Sequence, residues 1–499
     1  MSSRTPADAD LVHLSATEAR RLFLRRELSP VELLRAVVER AEQVEPRINA
    51  FTERLFDEAL DRARHAEDRY LGRNGLVPRP LEGIPVAAKE KHALKGRTLT
   101  EGSLVHKDRV ATENAPVIDR VLDAGGIIHA RTATPEFSLA TYTHSRMWGV
   151  TRNPWNPDFT PGGSSGGAGA SLAAGTSLLA TASDIGGSTR IPAAFTGTVG
   201  FKAPYGRNPG HGVLAADHYR GDGPMARTVD DVIAFQNVLA GPDPRDHASI
   251  RPKLTLPTSY EDVRGARIAL CVRLGEYEVH PEVEVNTRAT ARALADAGAH
   301  VEEVVLPWTR ADLLTAVAGH FSTVFGALVG ETAETHRELL SPYTAAFADT
   351  MAYARTQVSY LDALRSEHRL QQQLAAAMAG FDALVCPTTA VPGWHAGDDL
   401  AGDKVVVYGE EVADKLWCAM TSPFNIANRC PVLNVPSGMS SWGVPTGLQI
   451  VGHPYDDPAV FRIGKALEVL RPWSYAGIGD ATAPTAGDRT PVTTERRLP

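Results

Sequence analysis

The sequence predicts an α/β protein built on a large mixed, mostly parallel central β-sheet flanked by many helices. Short apolar runs alternate with stretches of helical periodicity along most of the chain, the pattern of strands and covering helices. Two segments repeat half of a strand–helix–strand unit: a helix over 115–125 leading to a strand at 127–130, and a strand at 267–272 followed by a helix from Pro281, closed by Gly298, and a strand at 300–305. Composition agrees, since 43% hydrophobic and 22% charged residues over 499 positions are enough for a sizeable core.

In chain order, Ser15 with Glu18 and Ser29-Pro30 with Glu32 fit helix-starting capping boxes. Leu33, Leu34, Val37, Val38 and Ala41 then recur at helical spacing as far as Pro46, and an alanine-rich helix is expected over 54–69. Residues 1–75 therefore read as a helical layer of the same domain that runs from 76 to 474. A Gly- and Pro-rich loop over 72–83 leads into a short apolar strand at 84–89 that ends in Lys89. Residues 168–182 are nearly all small, which suits a closely packed helix. From 310 to 380 the chain is helical, with Leu361, Leu364, His368, Gln371 and Leu374 along one helix, and 308–381 is expected to be an insertion covering a pocket. Strands follow at 382–387, 431–436 and 447–451, then a last helix from Asp457-Pro458 to Leu470, and 475–499 is expected to be a mobile tail.

Composition also excludes functions. Lys and Arg number 51 against 59 Asp and Glu, a net charge of −8, which argues against a nucleic-acid or anionic-membrane surface. No uninterrupted apolar run is long enough to span a bilayer, and the first residues lack the basic start and apolar run of a signal peptide. A cytoplasmic protein is expected. Cys271, Cys386, Cys418 and Cys430 have no metal-ligand spacing and read as buried free thiols.

The chemistry concentrates in residues 158–202. Two glycine clusters stand there, Gly162-Gly163-Ser164-Ser165-Gly166-Gly167 and Asp184-Ile185-Gly186-Gly187-Ser188. Glycine lets backbone N–H groups turn toward a ligand, and a serine held beside them suggests a nucleophile next to an anion hole. Gly162-x-Ser164-x-Gly166 formally matches a nucleophile elbow, but the polar, proline-broken segment before it is no strand, so that reading fails. A phosphate-binding loop fails as well, because no Lys-Ser/Thr pair closes either cluster. Two serines, Ser164 and Ser188, remain, and one of them needs a base. Neither cluster contains histidine, and His211, His218 and His247 lie in loops without an orienting pattern. A buried lysine whose pKa falls far enough can serve, and Lys89 is the best-placed candidate. The bland alternative is two serines bonded to backbone in glycine turns, beside an exposed lysine.

The blocks G-I-P-V-A-A-K, G-G-S-S-G-G and D-I-G-G-S-T-R-I-P, in that order, resemble the three motif blocks of the amidase signature family. The likeness extends from Leu81 to Pro204, including T-P-E-F, N-P-W-N-P and G-x-V-G-F-K, and returns in the late strands. The resemblance implies the amidase-signature fold and a Ser–Ser–Lys triad: Ser188 as nucleophile, Ser164 as proton bridge after a cis Gly163–Ser164 peptide, and Lys89 as neutral general base. It further implies an oxyanion hole from the N–H groups of Ile185, Gly186, Gly187 and Ser188, with Asp184 and Arg190 bracing the loop and Ser165 beside the triad as a structural residue. Ser138, Leu139 and the 140s loop would line the acyl pocket. No metal or cofactor is implied. The expected partner is a small-molecule amide, with a homodimer compatible and no nucleic acid or membrane.

The sequence departs from the family pattern at Glu90, where aspartate is usual, at Thr134 and Ser145, where asparagine is common, and at Asn428-Arg429-Cys430-Pro431, where threonine-glycine usually precedes the proline. These bear on substrate choice, and Arg429 is a candidate for an acidic substrate group. The leading reading is a hydrolase of carboxylic amides, with esters or carbamates as further substrates. The alternatives are an amidotransferase A-type subunit releasing ammonia from glutamine with partner subunits, or an amide-forming acyltransferase. A cysteine nucleophile at Cys386 is the remotest option.

Overall fold

A computed structural model of the chain describes residues 11–400, 404–414, 418–475 and 478. Its centre is an 11-stranded sheet. In chain order the strands are β1 (Phe51–Arg54), β2 (Pro85–Lys89), β3 (Ile127–Thr132), β4 (Leu179–Asp184), β5 (Val199–Lys202), β6 (Gly221–Ala226), β7 (Arg267–Leu270), β8 (His300–Glu303), β9 (Ala383–Pro387), β10 (Val432–Met439) and β11 (Pro445–Gly452). Across the sheet they run β1-β3-β2-β4-β6-β5-β10-β11-β9-β7-β8. Parallel pairing holds at the two flanks, β3–β2–β4 and β9–β7–β8, where helices connect the strands. The middle is antiparallel from β4 to β9. There β10 and β11 are joined by a turn at Ser440–Val444 too short for a crossover, so the pair must run antiparallel.

The helix expected over 168–182 is two elements. The helix Gly166–Ala173 stops, Gly175 turns the chain at φ +77°, and Leu179–Asp184 becomes β4, buried along its whole length between β2 and β6. Alanine and serine suit both structures. Burial on both faces decides for the strand, an example of tertiary context overriding intrinsic preference.

The first helices follow the sequence closely. Ser29 and Glu32 make a complete capping box for Pro30–Ile48, while Ser15 caps Ala16–Arg25 by accepting from the Glu18 N–H. Phe23, Leu33 and Val37 join the same apolar cluster as Val86 and Leu179, so this layer packs on the sheet. Helices Arg310–Thr323, Phe325–His336, Pro342–Gln357 and Tyr360–Ala377 occupy the expected helical stretch. The buried face of the last of these is Ala363, Ser366, Glu367, Leu370 and Leu374, whereas Leu361 and Leu364 face outward.

Among the described residues no single helix is long and apolar enough to cross a membrane. The four cysteines are free and buried. Of the expected C-terminal tail, Tyr475 and Ile478 are buried against Ala173 and Trp155, and 476–477 and 479–499 lie outside the described residues.

Candidate active site

Parallel neighbours bring the first two pieces together. β2 and β4 pair in register, Val86 opposite Leu179 and Ala87 opposite Ala180, so their carboxyl ends reach the same edge of the sheet. Ligands characteristically sit beyond the carboxyl ends of parallel strands. Lys89 closes β2, and Ser183 and Asp184 close β4. The Lys89 N–H donates to Thr181 Oγ1 at 3.0 Å, tying the two ends together.

The Lys89 side chain is fully buried, and its amine reaches three hydroxyls: Ser164 Oγ at 2.7 Å, Ser165 Oγ at 2.9 Å and Ser183 Oγ at 3.1 Å. Burial, and after it the charge of Lys91, holds the ammonium form well below the ordinary lysine range, although Asp222 and Asp184 oppose the shift. A neutral amine has two N–H donors and one lone pair. All three hydroxyls lie within reach of the amine as donor; in its neutral form it would donate to two and accept a hydrogen bond from the third.

The Gly163–Ser164 peptide is cis. A Cβ on Gly163 would lie 2.5 Å from Tyr142 N and 2.7 Å from Ala140 O, so only glycine lets the chain pass there. Ser188 sits across from this turn, and its carbonyl accepts from the Ser165 N–H at 3.1 Å. Ser164 and Ser188 line one small pocket of about 10 Å3, with Ile185, Ser183, Ser138 and Lys91 around them. That is room for a single oxygen-sized group.

The loop over 185–188 is held by its carbonyls. Gly186 O accepts from Thr421 Oγ1 at 2.6 Å and Ser422 Oγ at 3.3 Å, and Gly187 O accepts from the Ile191 N–H at 2.8 Å. Among the described residues the N–H groups of Ile185, Gly186 and Ser188 have no protein acceptor. The Gly187 N–H differs from the expected set, because it donates to Asp184 Oδ1 at 2.8 Å and so braces the loop from within.

Asp184 and Arg190 form a buried ion pair, with Arg190 Nε to Oδ2 at 2.9 Å and a second nitrogen to Oδ1 at 2.8 Å. Burial alone would raise the Asp184 carboxyl, but the guanidinium and Asn425 bring it down to about 2. Arg190 also donates to Thr421 O, Gln449 Oε1 and Asn425 Oδ1, so one residue ties the glycine loop to β11 and the segment around Thr421.

Ser138 lines the small pocket and shares a 2.8 Å hydrogen bond with Thr134 Oγ1. Leu139 packs between the aromatic group around Tyr142 and the helix group around Phe325. Glu90 points away from the pocket, accepting from the N–H groups of Thr100 and Glu101 at 2.5 and 2.7 Å. Arg429 is exposed. Cys386 is buried on β9, its thiol pushed well above the ordinary range chiefly by burial, with Gln449 Nε2 3.6 Å from its Sγ.

Sequence reasoning missed several neighbours. Ser183 and Ser165 both touch the Lys89 amine; Ser183 is hidden in a strand whose composition reads as helix, and Ser165 reads as a structural bystander. A second cavity of about 420 Å3 continues from the serine pocket, and the two share Lys91, Phe137, Leu214, Arg220 and Phe325. Of these, Phe137 alone had a sequence signal, as the last residue of the T-P-E-F block; Lys91, Leu214, Arg220 and Phe325 had none.

The family model described as Amidase matches residues 32–461. The A-type subunit of glutamyl-tRNA(Gln) amidotransferase from Symbiobacterium thermophilum is 32% identical over 492 residues, covering 91% of this chain and 96% of that protein. Among solved structures, a bacterial aryl acylamidase belonging to the amidase signature enzymes superposes with a TM-score of 0.85 at 30% identity, over 94% of this chain and 99% of its own. The 6-aminohexanoate cyclic dimer hydrolase complexed with substrate gives 0.78 at 27% identity, over 93% and 98%.

Proposed function

The chain belongs to the amidase signature family, and on that premise we propose that it hydrolyses the C–N bond of carboxylic amides through an acyl-enzyme on Ser188. The observation that carries this reading is the Lys89 amine, buried without a counter-ion and bonded to hydroxyls alone, 2.7 Å from Ser164 and beside the pocket that Ser164 shares with Ser188. Neutral Lys89 accepts the Ser164 proton while Ser164 takes the proton of Ser188, whose oxygen attacks the amide carbon. The carbonyl oxygen gains negative charge and meets the N–H groups of Ile185, Gly186 and Ser188. Each well-aimed donor of this kind lowers the barrier by about 2.7–4 kcal/mol. The relay then runs backward, delivering the proton to the departing nitrogen, and water repeats the cycle on the ester.

A second reading is an amidotransferase A-type subunit that works on glutamine, favoured by the 32% identity to a protein of that name. The cavity beyond the serines favours the hydrolase, because Leu99, Phe137, Leu214, Phe325, Leu328 and Val329 give it an apolar wall suited to an alkyl or aryl body. The four buried free thiols support a cytoplasmic location. Reaction of the purified chain with a fluorophosphonate, followed by peptide mass spectrometry, is expected to place the label on Ser188 and to abolish hydrolysis of 4-nitroacetanilide. A label on Ser164 or Cys386 refutes the assignment. Turnover confined to glutamine, and only with added partner chains, favours the second reading.

A further inference from the structure

We propose that Lys91 is an anion-recognition residue of the substrate cavity, and that the amides this chain hydrolyses carry a carboxylate on an otherwise apolar body. The inference rests on the hydrolase reading above and narrows its substrate class. Lys91 lies where the serine pocket meets the larger cavity and lines both. The residues on either side of it are fixed elsewhere. The Glu90 carboxylate is held by the N–H groups of Thr100 and Glu101, and the His92 ring lies between Thr181 Oγ1 at 2.8 Å and Asp222 Oδ1 at 3.1 Å. With both neighbours pinned into the fold, the Lys91 side chain is the one left to face the cavity.

Apart from Glu331, the charges around the cavity are already matched. Arg220 reaches both oxygens of Asp222, at 2.8 and 3.1 Å, and Arg109 pairs with Glu101 at 2.9 Å. His106 and His211 face Glu101 and Glu113 respectively, and Glu331 is exposed at the cavity wall. Burial draws the Lys89 pKa well below the ordinary lysine range. Among the described residues no acceptor lies within hydrogen-bond or ion-pair distance of the Lys91 amine. Burial, then the neighbouring Arg220, pulls its pKa down to about 8, so near neutral pH it remains mostly charged. A partly desolvated cation with no bonded acceptor is costly unless an anion meets it, and a substrate carboxylate would supply that charge while the apolar part of the cavity wall holds the rest of the molecule.

The test compares anilides in which a carboxylate is replaced by a neutral methyl ketone, scored by release of the aniline: 4-acetamidobenzoate against 4-acetamidoacetophenone, and glutaryl-4-nitroanilide against 5-oxohexanoyl-4-nitroanilide. The wild type is expected to prefer the carboxylate in at least one pair by about tenfold to a hundredfold in kcat/KM, chiefly through KM, the range of a charge-assisted hydrogen bond. Lys91→Met should bring that ratio close to one, and Lys91→Arg should restore part of it. A wild-type ratio near one in both pairs overturns the proposal. So does a Lys91→Met variant that slows both members of a pair equally, which is what a purely structural or electrostatic role would produce. Binding of the better carboxylate substrate to Ser188→Ala, measured by calorimetry, reads the subsite without turnover, and the added Lys91→Met change should weaken it by about tenfold or more. A chain that hydrolyses no amide of either charge refutes the hydrolase reading. A wild type that hydrolyses amides without preferring the carboxylate refutes this one alone.

Discussion

The amine of Lys89 lies 2.7 Å from the hydroxyl of Ser164, in a site from which every acidic side chain is held at a distance by a partner of its own. Asp184 is engaged by Arg190, and Asp222 by Arg220 and His92. The lysine thus has hydroxyls for company in place of a carboxylate. That environment favours the uncharged amine, the form that can accept a proton.

The pH dependence follows with a definite sign. Because burial depresses the folded-state pKa of Lys89, catalysis should fade as pH drops through that value and hold level above it as far as about pH 9. Measured kcat/KM for a neutral amide should therefore rise from acid toward alkaline pH, and a profile flat down to pH 5 would count against a lysine base. Lys89→Met should lower kcat by about 10^3-fold or more. Between the depressed and the ordinary lysine pKa the unfolded chain binds a proton that the folded chain does not, so this lysine lowers stability as pH falls. The melting temperature of Lys89→Met relative to wild type should shift in the variant's favour from pH 9 to pH 7.

The Asp184–Arg190 pair predicts a stability effect. Asp184→Ala leaves a guanidinium buried among dipoles with no counter-charge, a change that typically costs about 3–5 kcal/mol. Urea denaturation should register that loss, and activity should fall further than the unfolded fraction explains, because the Gly187 N–H loses its acceptor at the same time. Unchanged stability would mean that the remaining contacts of Arg190, to Gln449, Asn425 and Thr421, hold the loop without the carboxylate.

How far the sequence reveals this site depends on the range of the interaction. Lys89, Ser164 and Ser188 stand out because close backbone passage requires glycines around them, and glycine clusters are visible in one dimension. Gly163, pressed against Tyr142 and Ala140, is such a case. The strand β4 was not legible, since its alanines and serines fit a helix until the neighbours β2 and β6 enclose them. Ser183 was lost with it. The role of the Gly187 N–H was also beyond reach, because a capping carboxylate three residues earlier looks in sequence like any aspartate before a glycine turn. The cavity walls come from Phe137, Leu214 and Phe325, segments far apart in the chain that only the fold brings together.

Gly187→Ala tests how closely that loop is fitted. The residue has φ +129°, and a Cβ there would lie 2.7 Å from Thr421 Cβ and 2.8 Å from Ile191 Cδ1, besides striking Thr421 Oγ1. Left-handed backbone and the collision together should cost about 1–3 kcal/mol in stability. The displaced N–H groups should cost much more in rate, at least about 10^2-fold in kcat. Thermal melts and steady-state kinetics on the same preparation separate the two, and a variant that loses stability while keeping its kcat would remove the loop from the catalytic proposal.

The helix Arg310–Thr323 is tied through His320 to the segment around Asp217 and Tyr219. His320, on the helix Arg310–Thr323, places Nε2 2.8 Å from Asp217 Oδ1 and Nδ1 3.5 Å from Glu367 Oε1, and its ring stacks on Tyr219 at 3.7 Å between centroids. Burial alone would lower the His320 pKa, but the two carboxylates raise it to about 9. A histidine whose folded pKa exceeds its unfolded value stabilises fully below the unfolded value, near 6.5, and loses that contribution as pH rises through the folded one. Stability should therefore decline between about pH 6.5 and pH 9 in the wild type by an amount that His320→Gln does not show. Thermal melts at pH 6.5, 8 and 9.5 should resolve a difference of about a few degrees. Tyr219 O also accepts from Asn425 Nδ2, which holds Asp184, so the same alkaline loss should loosen the brace behind the glycine loop and appear as a fall in kcat above pH 9 that His320→Gln shows at every pH. Parallel melting curves for the two proteins across this range would show that the histidine carries no charge in the folded chain.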